Sequence, residues 1–101
     1  MPMWCLTATA KPHATSQTIA AKRHQWLSQG KDRLLRARCR SAQRFVAEHG
    51  VPLRVWWLLD TDDQTAVGLI TEHFGDLWEI DVCQVTPQAI SESQGASAHD
   101  V

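Results

Sequence analysis

The side chains able to move a proton near neutral pH are histidines, and four of them, His13, His24, His49 and His73, fall in the part of the chain that reads as folded. None has a carboxylate, cysteine or second histidine at a spacing diagnostic of a catalytic dyad, a triad or a metal site. His49 and His73 each close a stretch of helical periodicity, where an imidazolium meets the negative end of the helix dipole. The three cysteines, Cys5, Cys39 and Cys83, lie 34 and 44 residues apart. That spacing fits neither a metal clip nor a paired disulfide framework, so they read as reduced thiols packing like small hydrophobes. Asp60, Asp62 and Asp63 lack the glycine and distal glutamate of a calcium loop and read as turn and helix-cap residues. Nothing in this inventory calls for a metal or a cofactor.

Arginine supplies a second kind of chemistry. Net charge is −1, yet eight of the ten Lys and Arg fall between Lys22 and Arg44, and ten of the eleven Asp and Glu fall from Glu48 onward. The two halves can pair with each other in the fold, or the basic half can face an anionic partner. Arg33, Arg36, Arg40 and Arg44 recur at helical spacing and would present one face able to neutralise phosphates, the nucleic-acid reading of this stretch. Leu35, Cys39, Ala42 and Val46 would take the opposite face of the same helix, residues 31–48. Leu35-Ala37-Cys39 against Arg36-Arg38-Arg40 also alternates as an edge strand does; the helix propensity of Ala, Leu and Arg favours the helix.

The elements that must position these groups follow from periodicity. Met3 to Thr9 alternates as a strand. From Thr15 or Ser16, either able to cap, Ile19, Ala20, Trp26 and Leu27 form a helical stripe that stops at Gly30. Leu53 to Leu59 is a continuous apolar run centred on Val55, Trp56 and Trp57, the signature of a central strand, and its two tryptophans point to opposite sheet faces. Ala66, Val67, Ile70 and Phe74 recur as a helix up to Gly75, and Leu77 to Val85 alternates as a last strand. The expected order is β-α-α-β-α-β, an α+β protein with helices on one face of a small sheet.

At 101 residues with 44% hydrophobic and 21% charged, the composition is that of one globular domain, residues 1–90, followed by a disordered polar tail over 91–101. No stretch is apolar for the ~20 residues a membrane span needs, and the start lacks a secretion-signal layout, so a cytoplasmic protein is expected.

The segment Val55-Trp-Trp-Leu-Leu-Asp-Thr-Asp-Asp, an amphipathic helix, and then His73-Phe-Gly-Asp-Leu-Trp-Glu-Ile-Asp-Val resembles the C-terminal half of small ferredoxin-like proteins of the dimeric α/β-barrel superfamily. Muconolactone isomerases and YCII-related proteins belong to it. The resemblance covers about a third of the chain. It implies a ferredoxin-like fold, a homodimer whose two sheets meet, a pocket for a small hydrophobic or aromatic molecule, and cofactor-independent, isomerase-like chemistry in some members. The family has a two-strand hairpin before its second helix; here residues 31–49 read as helical.

On that resemblance the sequence points to a small-molecule-binding or weakly enzymatic module. His24 on the first helix would transfer the proton, and Trp57, Arg54 and Trp26 would shape the ligand site. The alternatives are a nucleic-acid or acidic-partner binder using Arg33, Arg36, Arg40 and Arg44, and a purely structural partner in a larger complex.

Overall fold

A computed structural model describes residues 3–89. The expected disordered tail, 91–101, lies outside the described residues.

The elements are β1 (Met3–Ala10), α1 (Ser16–Ser28), α2 (Lys31–Ala37), β2 (Ser41–Val46), β3 (Arg54–Asp60), α3 (Gln64–Phe74) and β4 (Trp78–Val85). The four strands form one antiparallel sheet in the order β2-β3-β1-β4. The α+β class and the sheet with helices on one face stand as expected. The element order differs in one place, because the basic stretch 31–48 is not one helix. It forms the short helix α2, a turn at Arg40, and the edge strand β2, so the hairpin β2–β3 is present and the sheet has its fourth strand.

Local signals explain most boundaries. Thr15 caps α1 reciprocally with Thr18: the Thr15 hydroxyl accepts from the Thr18 N–H at 3.1 Å, and the Thr18 hydroxyl accepts from the Thr15 N–H at 2.8 Å. Gly30, at φ 74°, turns the chain from α1 into α2 in a backbone conformation that costs an L side chain about 1 kcal/mol or more. Asp63 caps α3 by accepting from the Thr65 N–H at 2.9 Å. His49 lies in the β2–β3 connection, almost fully exposed, rather than at a helix end.

Strand register sorts the side chains into two layers. Leu6 and Ala8 of β1 stand beside Trp57 and Val55 of β3 and, with Leu59, face the helices as the fully buried floor. Trp26 from α1, Leu35 from α2, and Ala66, Ile70 and Phe74 from α3 close over them. Phe74 joins the aromatics, its ring 5.1 Å from Trp26 and 5.5 Å from Trp57. Rings of this size bury about 150–250 Å² each and dominate a core this small. The other sheet face carries Phe45, Trp56 and Leu58 on β2 and β3 and Cys5 and Cys83 on β1 and β4, with no helix over it among the described residues.

Candidate functional site

The residues singled out from the sequence do not converge on one point. Trp26 and Trp57 are buried on the helix side of the sheet. Arg54 is two residues from Trp56 and three from Trp57, which puts it on the opposite sheet face; its guanidinium lies 5.6 Å from the Trp56 ring. His24 is exposed, and at 100° per residue it projects about 200° around α1 from Trp26, away from the sheet. Trp26 and Trp57 thus share a cavity that neither Arg54 nor His24 lines.

That cavity, of about 100 Å³, opens between α1, α2 and β2. Trp26 and Trp57 contribute aromatic walls, and Arg23, Arg36, Arg44 and Asp32 contribute its charges. Arg44 faces it because β2 pairs with β3 so that Arg44 stands beside Trp57, and its guanidinium lies 6.0 Å from the Trp57 ring. Asp32 is already committed: it accepts from the Trp26 indole N–H at 3.3 Å and pairs with Arg36 at 3.1 Å. Arg23 and Arg44 have no ion-pair partner among the described residues. Loss of hydration against the aromatic wall, with the positive charge of Arg23 nearby, lowers the pKa of Arg44. Two guanidiniums without an ion-pair partner among the described residues thus stand beside an aromatic floor, with donors whose planar fork matches the geometry of a carboxylate or phosphate.

The four arginines of the basic stretch do not form a row. Arg33 and Arg36 belong to α2, Arg40 to the turn and Arg44 to β2. Arg40 is taken up by the acidic turn after β3, pairing with Asp60 at 2.8 Å and Asp62 at 3.1 Å, and Arg38 reaches Asp63 at 3.5 Å and the Thr65 hydroxyl. Here parts of the basic and acidic halves pair with each other, and the single helix face expected to carry Arg33, Arg36, Arg40 and Arg44 does not form.

One group named in the sequence takes a different part from the one its position suggests. His73 is 6% exposed and its ring is enclosed by Trp26 and Phe74, with centroids at 5.3 and 4.7 Å. Its Nδ1 accepts from Lys31 Nζ at 3.0 Å, and its Nε2–H donates to the Lys22 carbonyl at 3.0 Å. Burial, reinforced by Lys31 and Lys22, lowers its pKa and keeps the ring neutral. It works as a clamp among three helices rather than as the charged helix-end group its position suggests. The signal lies 42 and 51 residues away in sequence, where no local pattern reaches.

Other concavities are open and mainly apolar. A trough of about 540 Å³ runs beside Ile19 of α1 and Leu53, and a groove of about 360 Å³ lies between Trp4, Val82 and Gly68 of α3. Among the described residues, no three His, Cys, Asp or Glu side chains converge to hold a metal ion, and no helix is long and apolar enough to cross a membrane.

No protein-family model matches the chain, and no curated protein matches it in sequence. Solved structures do match in shape. A protein from Agrobacterium tumefaciens aligns with a TM-score of 0.58 at 11% identity, over 89% of this chain and 96% of its own. An antibiotic biosynthesis monooxygenase aligns at 0.56 and 14% identity, over 88% and 100%. A dimeric ferredoxin-like protein from an uncultured marine organism aligns at 0.52 and 8% identity, over 87% and 98%. At such identities the likeness concerns the fold alone, and that fold is the ferredoxin-like α+β arrangement read from the sequence.

Proposed function

We propose that this chain is a small-molecule-binding protein that acts as a homodimer and holds the carboxylate end of a small aromatic or apolar ligand between α1, α2 and β2. The observation that carries the reading is the pair Arg23 and Arg44, without counterions among the described residues, beside the Trp26 and Trp57 rings. The cavity is smaller than the ~300–1,000 Å³ that encloses a whole drug-sized ligand, so it takes the charged head while the rest of the molecule lies outside it. A carboxylate suits it because a guanidinium offers two parallel donors in the plane a carboxylate presents. Proton transfer by His24 is not part of this reading, since that ring faces away from the cavity.

The dimer is supported by the dimeric state of one structural neighbour and by the uncovered sheet face, where Phe45 is half exposed beside Trp56 and Leu58. A second copy is the occupant we assign to that face. The cytoplasm, where thiols stay reduced, is the compartment that suits its three free cysteines.

The test is a titration followed by tryptophan fluorescence, with benzoate as the probe and benzyl alcohol as its neutral counterpart. Benzoate is expected to saturate the signal and benzyl alcohol to bind more weakly. Arg44→Leu should weaken benzoate by roughly 10–100-fold, the value of a hydrogen bond to a charged group. A wild-type chain indifferent to both compounds would sink the proposal, and equal affinity for the two would remove the carboxylate from it.

A further inference from the structure

The register of β1 against β4 places Cys5 directly opposite Cys83 on the open sheet face, although the two are 78 positions apart in the chain. Both are free thiols, Cys5 half-buried and Cys83 exposed on an edge strand. The Lys11 N–H donates to the Leu77 carbonyl at 2.9 Å, in phase with the same register, which makes the odd-numbered positions of β1 the hydrogen-bonded pairs of this ladder. Such pairs hold their Cα atoms about 5.5 Å apart, at the most frequent separation for a disulfide. Their Cβ atoms sit about 4.5–5.5 Å apart, at or beyond the ~3.5–4.5 Å that a relaxed disulfide adopts. A bond across this pair is therefore reachable, and strained enough to be easily reopened.

We propose that Cys5 and Cys83 are a redox pair that closes to an intrachain disulfide under hydrogen peroxide and reopens with thiol reductants. Cys83 is exposed and reacts first. Its thiol now donates to the Gln84 carbonyl at 3.6 Å, a contact that the bond to Cys5 requires it to leave. The Cys83 thiolate attacks one peroxide oxygen, the O–O bond breaks, and the departing hydroxide takes up a proton and leaves as water. The resulting sulfenic acid is attacked by the Cys5 sulfur, which forms the S–S bond and expels the hydroxyl as a second water. Two thiols lose two hydrogens and two electrons, and one peroxide becomes two waters. Cys39 takes no part: it lies near Thr61 and the acidic turn, and burial first, then the nearby Asp63 and Asp60 carboxylates, raises its pKa. Because the second copy assigned above would cover this face, the reaction belongs to the dissociated chain, where a bond of this kind is a transient signal rather than a staple.

The full-length chain, dilute enough to be monomeric so that the open face is uncovered, is treated with a small excess of hydrogen peroxide and read by intact mass and by peptide mapping without reduction. The expected result is a loss of two hydrogens, a Cys5–Cys83 linked peptide, reversal by dithiothreitol, and the same product from Cys39→Ser. Cys5→Ser should instead leave Cys83 as a sulfenic acid that dimedone traps. In denaturing urea, preference for the Cys5–Cys83 pairing should vanish. The proposal is overturned by Cys83 passing to sulfinic acid while Cys5 stays free, by linkage between chains or through Cys39, or by equal preference in the native and denatured chains.

Discussion

Lys31 donates to His73 Nδ1 across 3.0 Å and, with the Lys22 carbonyl on Nε2, fixes a neutral imidazole between α1, α2 and α3. The groups facing that ring are Trp26, Phe74, both lysines and, beyond Lys22, the Asp76 carboxylate paired to it at 2.9 Å. An unfolded histidine titrates near 6.5, whereas burial holds the folded one lower. Between those two pKa values the unfolded chain binds more protons, so stability rises with pH and is fully present above about 6.5. Urea midpoints measured from pH 8 downward should begin to fall as pH passes 6.5. His73→Gln should be less stable at pH 8 but lose this slope; an equally steep slope in the variant would remove His73 as the cause.

Thr61 is buried at 1% exposure, and its hydroxyl donates to the Arg38 carbonyl at 2.6 Å while accepting from the Asp63 N–H at 2.9 Å. It ties the α2–β2 turn to the start of α3. Thr61→Val keeps the shape and strands both backbone partners, so a loss of about 1–3 kcal/mol is expected in chemical denaturation. Thr61→Ser should recover most of it, and a valine variant as stable as wild type would show that water replaces the hydroxyl.

Trp57 packs on Phe74 and is the floor shared by core and cavity. Trp57→Ala should cost about 3–5 kcal/mol, enough to unfold a chain this small under mild denaturant. Trp57→Phe should stay folded, which allows the benzoate titration to report the cavity separately from the core. His24→Ala and Arg54→Ala should leave that titration unchanged, since neither side chain reaches the cavity; a tenfold weakening by either would relocate the site.

Phe45 and Trp56 face each other across β2 and β3 on the open side of the sheet. Phe45→Glu should shift sedimentation toward the monomer while leaving the circular dichroism of the chain intact. A wild-type chain that sediments as a monomer at high concentration would dispose of the homodimer.

Where pattern and environment agree, the sequence was readable. β1, α3 and β4 alternate or repeat in phase with their buried faces, and their stops at Lys11-Pro12, Gly75 and Thr86-Pro87 are local. Residues 31–48 were not, because Leu35, Cys39, Ala42 and Val46 fit one helix face by spacing. Ala42, Arg44 and Val46 fit one face of an edge strand equally well. Intrinsic propensity favoured the helix, and Lys31–Ala37 forms one; over Ser41–Val46, pairing with β3, whose apolar run needed a neighbour, decided for a strand. The same hairpin brings Arg44 over Trp57, so the cavity could not be assembled without it. That Trp57 would be an aromatic surface was legible, but its partners depend on which arginine shares its face, and that is set by register. The clamp at His73 and the facing of Cys5 and Cys83 likewise arise from elements far apart in the chain.

The earliest of the four strands in the chain lies inside the sheet, flanked by β3 and β4, both of which are translated much later. Nascent β1 therefore waits without its sheet neighbours until β3 and then β4 have been made, and most of the ladder forms at large sequence separation. Such topologies fold slowly and all at once. A product cut short before Trp78 would lack β4 and leave one side of β1 unpaired, an adhesive edge at a strand that the intact sheet pairs on both sides.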